Sequence, residues 1–532
     1  MEIKFIVSLV LMYLYVYLKT KKSFHMLQQN WYNDGNRYVK WIIKNKKQEF
    51  FNIDILILLL LVFKLSNIKL ETVMITFVIF YVLEAIFYLN RSKKEQEKLK
   101  LKFTSRVKRL LFTTFILYLI PTVIMYFNFN ETNLIYYYII LGIMVYLNNI
   151  IVILANIINK PIEKMVANYY KNKAIKKLNS MNNMKVIGIT GSYGKTSSKN
   201  ILSDILNIKY NATPTPKNFN TPLGLIITIN NHLDKFSDMF IAEMGAFKRG
   251  EIKELCDLVH PTYGILTKIG TAHLDSFGSQ ANIQKGKFEL IESLPQDGVG
   301  ILNGDDELQV KYKLKNKCKI LWIGIHNKDV DVRADNIKLT NKGTTFDCYF
   351  KGDSKKYKFE TKLLGEANVY NILAGIALGY ELGISIAQLQ MGVKKVNPVE
   401  HRLELRKYGD INIIDDAYNS NPVGSKMALD VLKLMPGKKI VVTPGMIELA
   451  NQEYELNKKF GEYIADSVDE VILVGAKQTK PIQDGLAKKK FPKEKIYILN
   501  DVKEAFALMQ KLKEKDTYVL LENDLPDIFN EK

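Results

Sequence analysis

Lys185-Val-Ile-Gly-Ile-Thr-Gly-Ser-Tyr-Gly-Lys-Thr196 joins an apolar, β-branched run to a glycine-rich turn. Residues 185–190 predict a buried strand, 191–196 a tight loop and 197–208 a helix. Strand, glycine loop and helix in that order make a phosphate cradle, because backbone N–H groups and the positive end of the helix converge on one anion. Gly191, Ser192, Tyr193, Gly194, Lys195, Thr196 and Ser197 are then the candidate nucleotide contacts, with Lys195 reaching the terminal phosphates and the Thr196 hydroxyl binding Mg²⁺. The spacing departs from the general G-x-x-x-x-G-K-[ST] form: Ile189 stands in the first glycine's place and Gly188 one residue early. A chance glycine turn is the plain alternative, and the flanking strand and helix argue against it.

A chain of 532 residues is long enough for about three domains. Long apolar runs fill the first 160 or so residues and ordinary mixed sequence fills the rest. Residues 1–185 hold about 27 Lys and Arg against about 10 Asp and Glu, leaving about +3 of the formal +20 for everything after. The basicity brackets apolar segments instead of striping a folded domain, so anionic lipid is the expected partner and nucleic acid is not. Cys256, Cys318 and Cys348 lie far apart, without the paired spacing of a zinc site or a disulfide framework, and suit a reducing compartment.

Five stretches, 3–18, 50–65, 72–89, 110–127 and 134–158, approach the roughly 17 to 25 apolar residues that a membrane span needs. Alternate loops between them are rich in Lys and Arg. This pattern predicts a multi-pass cell-membrane protein, with its amino terminus outside and the catalytic domains in the cytoplasm. A cleaved signal peptide fits poorly, since little positive charge precedes the first stretch and no small-residue cleavage site follows it. Asp54 and Glu84 fall inside apolar runs, where a carboxylate either contacts a ligand or sits near a helix end.

After residue 184 short apolar strands alternate with helices, and a second alternation starts after Asn397-Pro398. The expected fold is therefore α/β: N-terminal transmembrane helices, then a P-loop ATP-binding domain, then a Rossmann-like C-terminal domain. The expected boundaries are 1–180, 181–398 and 399–532.

At this point the residues resemble the Mur ligase family, most closely its members that join D-alanyl-D-alanine to a UDP-muramoyl tripeptide. Gly188-Ile-Thr-Gly-Ser-Tyr-Gly-Lys-Thr196 is similar to the family's nucleotide loop. Asn218-Phe-Asn-Thr221, Ala242-Glu-Met-Gly245, Ala272-His-Leu-Asp-Ser-Phe-Gly-Ser279 leading to Lys285-Gly-Lys287, and Asp415-Asp-Ala-Tyr-Asn-Ser-Asn-Pro422 follow in the family's order. The resemblance implies a ligase that activates a carboxylate with ATP as an acyl phosphate and joins an amine to it. It implies Glu243 as a Mg²⁺ ligand beside Thr196, and His273 with a carbamylated Lys287 at a second Mg²⁺; Lys285 is the alternative in a shifted register. It further implies Asn368 and Asn371 beside adenine, Arg402 over the phosphates, and Asp416 and Tyr418 at the ribose and base. The catalytic set is thus Lys195, His273, Lys287 and Arg402, and the metal set Thr196, Glu243, His273 and Lys287.

Three places depart from the family pattern. Ala367 stands where a histidine is usual, Thr443-Pro-Gly-Met-Ile-Glu-Leu-Ala450 lacks a glycine-aspartate pair, and Leu520-Leu-Glu-Asn-Asp-Leu-Pro526 replaces a lysine-glycine-serine end. Only about 30 residues separate the last apolar stretch from the nucleotide loop, which leaves no room for the usual domain that holds uridine. The acceptor is thus a UDP-linked or a lipid-linked muramoyl peptide and the amine an amino acid or dipeptide. A γ-glutamyl ligase and an inactive membrane scaffold remain as rival readings.

Overall fold

A computed structural model describes residues 2–46, 49, 70–94, 100–127, 131–181, 183–340, 342–418, 420–447, 449 and 452–524. The chain forms two compact units, Met1–Tyr169 and Tyr170–Lys532.

The first unit is helical, with helices Glu2–Gln29, Leu70–Lys94, Ser105–Phe127 and Glu131–Tyr146. The expected five-span, multi-pass placement is corrected here. Among the described residues one helix, Ser105–Ile124, is long and apolar enough to cross a membrane, or two if the pair Tyr136–Tyr146 and Asn148–Asn179, bent by 78°, is taken as one. The expected stretch 50–65, with Asp54, lies outside the described residues. The physical reason for the difference is that apolarity counted along the chain does not follow the helices. The first helix runs through Lys19, whose buried Nζ donates to the Val145 carbonyl at 2.8 Å. The stretch expected at 134–158 breaks between Tyr146 and Asn148, and the side-chain oxygens of buried Asn148 and Asn149 accept from Thr20 at 2.9 Å and Ser23 at 2.8 Å. Glu84 is buried and accepts from the Tyr15 hydroxyl at 3.1 Å. These buried polar groups thus find partners within the unit, as burial demands.

The second unit opens on the strand that the glycine stretch predicts. In chain order its first nine strands are β1 (Lys185–Thr190), β2 (Ala212–Pro214), β3 (Met239–Glu243), β4 (Tyr263–Leu266), β5 (Val299–Asn303), β6 (Lys319–Gly324), β7 (Val332–Thr340), β8 (Gly343–Phe350) and β9 (Tyr357–Thr361). They form one sheet in the order β2-β3-β1-β4-β5-β6-β7-β8-β9, parallel as far as β7 and antiparallel beyond. The period of two sends alternate side chains of β1 to opposite faces. Ile187 and Ile189 join a core with Ile201, Leu202 and Ile205 of helix Lys195–Leu206, while Val186 joins another with Leu290 and Ile291 of helix Gln280–Glu292. Burial on both faces is what a near-continuous apolar strand requires.

Six more strands, β10 (Glu404–Tyr408), β11 (Ile411–Asp416), β12 (Lys439–Thr443), β13 (Glu470–Val474), β14 (Ile496–Leu499) and β15 (Tyr518–Glu522), form a second sheet in the order β10-β11-β15-β12-β13-β14. Only the β10–β11 pair is antiparallel. Apolar clusters lie on both faces, with Ile414, Val441 and Leu520 in one and Ile413, Val442 and Leu521 in the other. In sheets of this kind ligands bind beyond the carboxyl ends of the strands, and the candidate residues gather there in both sheets.

Candidate functional site

The carboxyl ends of β1, β3 and β4 carry the first half of the site. Beyond β1 the chain turns through Gly191 and Gly194 into helix Lys195–Leu206, and Gly194 has φ 82°, a left-handed conformation that glycine adopts without steric cost. A Cβ on Gly191 would overlap the Thr267 hydroxyl beyond β4. That hydroxyl donates to the Thr190 carbonyl at 3.1 Å and the Tyr193 carbonyl at 2.6 Å. Ser192 Oγ donates to Gly270 O at 3.2 Å, and the Tyr193 hydroxyl accepts from the Thr271 backbone at 3.1 Å. These two side chains therefore fasten the loop to the segment after β4. Gly191→Ala is expected to weaken ADP binding about ten- to a hundredfold, the effect of 1–3 kcal/mol of imposed strain. Calorimetric titration with ADP measures it, and an unchanged affinity would show that the loop tolerates the displacement.

Lys195 Nζ curls back onto the loop, donating to Gly191 O at 2.8 Å and Ser192 O at 3.3 Å. Burial holds its pKa below the ordinary lysine value, against the attraction of Glu243, and the charge of Arg402 adds to the lowering. The Thr196 hydroxyl donates to Glu243 Oε1 at 3.1 Å, and Asn220 Nδ2 donates to the same oxygen at 3.2 Å. Glu243 is buried at the end of β3, and its Oε2 faces the Lys199 ammonium at 3.2 Å. A buried carboxylate beside a threonine hydroxyl is the donor set that fits Mg²⁺, which takes one or two such ligands together with phosphate oxygens and waters. Among the described residues no cluster of three or more His, Cys, Asp and Glu could hold a metal unaided.

Lys199, one helical turn beyond Lys195, is a residue that motif reading missed. Its Nζ lies 3.2 Å from Glu243 Oε2, both side chains are about 1% exposed, and it also donates to the Lys217 carbonyl. Burial lowers its pKa while Glu243 raises it. Its only signal in the sequence was the spacing of four from Lys195, which puts both lysines on one helix face. Lys199→Met leaves a buried glutamate without its cation, so thermal unfolding is expected at a midpoint lower by several degrees, in keeping with a loss of about 3 kcal/mol or more. An unchanged midpoint would show that Glu243 does not depend on the pair.

Lys287 and Lys285 part company in helix Gln280–Glu292. Lys285 is exposed, whereas Lys287 is 1% exposed, donates to the Ala246 carbonyl at 3.4 Å and sits 5.3 Å from the Phe277 ring centre. Burial holds the Lys287 amine well below its usual pKa, and the charge of Lys195 pushes the same way. His273, at φ 62°, meets Phe247 edge to face at 4.6 Å between ring centres. Lys287 and His273 thus both touch the segment Ala246-Phe247, which follows Glu243 after two residues.

The other half of the site comes from the first sheet's covering helix and from the second sheet. Asn371 Oδ1 accepts from Ser198 Oγ at 2.8 Å, and its Nδ2 donates to Asn368 Oδ1 at 3.4 Å. Asn368 in turn donates to Leu364 O at 2.8 Å. Arg402 lies between two residues of positive φ, His401 at 58° and Leu403 at 48°, and its guanidinium stands 4.3 Å over the Tyr418 ring. Burial raises the Tyr418 hydroxyl pKa, while Arg402 and a hydrogen bond with Asn218 lower it. Asp416, at the end of β11, accepts from Leu403 N at 3.2 Å. A cleft of about 720 Å³ is lined by Gly194, Ser197, Asn368, Asn371, Arg402 and Asp416 among others. Its lining also includes Glu522, which motif reading registered only as part of an aberrant terminus.

Residues 189–379 match the Mur ligase middle domain, and residues 401–521 match the Mur ligase, glutamate ligase domain. The UDP-N-acetylmuramoyl-tripeptide--D-alanyl-D-alanine ligase of Bacillus subtilis (strain 168) is 33% identical over 335 residues, 62% of this chain and 70% of that protein. The ligase of the same name from Escherichia coli (strain K12) is 30% identical over 55% of this chain and 64% of that protein. Across the curated relatives of this name the chain spans from 49% to 70% of their length. The crystal structure of MurF from Acinetobacter baumannii aligns with a TM-score of 0.60 at 25% identity, over 67% of this chain and 77% of that one. MurF ligase from Thermotoga maritima, solved in complex with ADP, shares the fold at TM-score 0.61 and 23% identity, over 68% and 81%. Together with the helices of the first unit, these relatives overturn the placement of the chain as a multi-pass cell-membrane protein with cytoplasmic catalytic domains.

Proposed function

Since the chain belongs to the Mur ligase family and is an ATP-dependent ligase, we propose that it joins an amine to the carboxylate of a muramoyl peptide in cell-wall precursor synthesis. The first substrates to try are a UDP-linked muramoyl tripeptide and D-alanyl-D-alanine. The observation that carries this reading is the meeting of Lys195, Thr196 and Glu243 at the ends of two neighbouring strands, with Arg402 close enough for its charge to act on Lys195 and lining the cleft that Gly194 and Ser197 border. The working division is an ATP-binding part over 181–398 and a closing part over 399–532, preceded by 1–180.

In this reading the loop backbone at Gly191–Ser197 and the Lys195 ammonium hold the ATP phosphates. A carboxylate oxygen of the acceptor takes the γ-phosphoryl group, ADP leaves, and an acyl phosphate results. The amine nitrogen then bonds to the acyl carbon, the carbon–oxygen bond to phosphate breaks, and inorganic phosphate departs. Lys195 and Arg402 offset negative charge as it spreads over the transferring group, an effect strongest where water is excluded. Thr196 and Glu243 would hold one Mg²⁺, and His273 with a carbamylated Lys287 a second; bound there, the ions would neutralise phosphate charge. The neutral lysine amine is the form that adds CO₂, and burial of Lys287 shifts its amine toward that form. Asn368 and Asn371 offer amides to the adenine, and Asp416 and Tyr418 flank the nucleotide from the second sheet.

The test is phosphate release from ATP by the full-length chain with acceptor and amine supplied singly and together. Release that needs both, with a new amide product, is expected. Release independent of either substrate, or none with any muramoyl peptide, would reject the proposal.

A further inference from the structure

Helices Glu2–Gln29 and Ser105–Phe127 of the first unit border a groove of about 360 Å³ that holds none of the residues assigned to the reaction. Its volume falls in the range of small-molecule sites, about 300–1,000 Å³. The walls are mainly apolar, and the rings of Tyr17, Phe112 and Phe115 stay exposed there. Water finds too few partners in such a space to fill it well. Thr114, in the same wall, is 2% exposed, and its Oγ1 has no hydrogen-bond partner. Three other hydroxyls of the wall are engaged: Tyr13 pairs with Thr122 at 2.9 Å, Thr20 donates to Asn148 Oδ1 at 2.9 Å, and Tyr118 donates to Met144 O at 3.0 Å. Buried hydroxyls are normally satisfied, so the one on Thr114 points to an oxygen supplied from outside the chain.

Lys108 also lines the groove; it is exposed and makes no ion pair among the described residues. Its neighbour Arg109 is occupied by Glu163, 2.7 Å away. The groove therefore offers one unpaired positive charge and, six residues further along the same helix, one unsatisfied hydroxyl, a separation of about 9 Å along the axis. We propose that it binds one molecule of a single-chain acyl lipid with a singly charged phosphodiester head. The chain lies among the exposed rings, an ester carbonyl near the head accepts from the Thr114 hydroxyl, and the phosphodiester faces the Lys108 ammonium. A phosphate monoester, with up to two negative charges, would leave charge unmatched by a single lysine. A fatty acid carries all its oxygen at one end and cannot meet both groups across that separation. The groove carries this role whether or not the ligase reading stands.

Binding of 1-oleoyl-lysophosphatidylglycerol to the full-length chain is measured by calorimetric titration below the micelle-forming concentration, beside 1-monooleoylglycerol and oleate. One lysolipid per chain is expected. Lys108→Glu should weaken the lysolipid about tenfold or more and leave monooleoylglycerol, which has no charge, within about twofold. Thr114→Val should weaken the lysolipid about three- to tenfold, the effect of one lost hydrogen bond, while the lipid-free variant unfolds at or above the wild-type midpoint because no hydroxyl is left unsatisfied. Leu111→Trp, which fills the groove, should abolish binding; Lys108 is exposed, so Lys108→Glu stays folded even if the tryptophan is not accommodated. No saturable binding, or equal affinity in wild type and folded Leu111→Trp, would overturn the groove as a site. Unchanged affinity in Lys108→Glu or Thr114→Val, or oleate binding as tightly as the lysolipid, would overturn the class of ligand.

Discussion

Lys195→Ala and Glu243→Ala are each expected to lower ligation by about 10³-fold or more while the protein stays folded. The Lys195 ammonium is held by the phosphate loop's own carbonyls, those of Gly191 and Ser192. An incoming phosphate chain would draw it from them, and without it the charge on the transferring phosphoryl group lies opposite bare backbone dipoles. Glu243 brings a buried carboxylate to the Thr196 hydroxyl, and its removal deletes the anionic half of the proposed cation site. It also strips Lys199 of its partner, so Glu243→Gln, which keeps the contacts to Thr196 and Asn220, is the control that separates lost chemistry from lost stability. Product formation is followed by chromatography and folding by thermal unfolding. Either alanine variant, folded and ligating at near wild-type rate, would remove this site from the reaction.

Lys287→Ala is expected to be comparably inactive, and Lys285→Ala to stay close to wild type. The contrast follows from burial: Lys285 points to solvent, whereas the Lys287 amine is enclosed between Ala246 O and the Phe277 ring. Burial lowers its pKa, so more of it is neutral at a given pH than for a lysine in water, and the neutral amine is what combines with CO₂. The product is a carboxylate on a lysine stem, with one proton released. Lowering the pH protonates the amine and removes the carbamate, so activity should fall on the acid side and recover with added bicarbonate. Short carboxylates such as acetate should partly restore Lys287→Ala but not Lys195→Ala. A Lys287→Ala enzyme of full activity would reject the carbamate, and a dead one beyond rescue by any carboxylate would confine Lys287 to packing.

The strand-loop-helix was legible because its signals are local, five consecutive buried strand positions, two glycines in the turn and a helix after it, although the helix expected over 197–208 runs over Lys195–Leu206. Glu243 was legible for a similar reason, as a carboxylate ending the apolar run of β3. The alternation after residue 397 likewise announced a second parallel sheet. Lys199 and Glu522 were not legible as site residues. Lys199 looks like a solvated helix lysine until β3 brings Glu243 against it, and Glu522 looks like part of a frayed end until β15 inserts between β11 and β12.

By itself the sequence determined the α/β character of residues 185–522 and the order in which strand ends deliver their polar residues, because periodicity and turn chemistry act over a few neighbouring residues. It also narrowed the chemistry to phosphate handling. Tertiary structure decided which lysine is buried, which carboxylate keeps a free oxygen, and how the described residues of the first unit dispose of their polar side chains. There the hydropathy of each stretch was real, yet buried Lys19, Glu84 and Asn148 found partners on other helices and a 78° bend divided the last stretch. Burial is a property of contacts between distant segments, and a reading that moves along the chain registers apolar length without seeing what that length packs against.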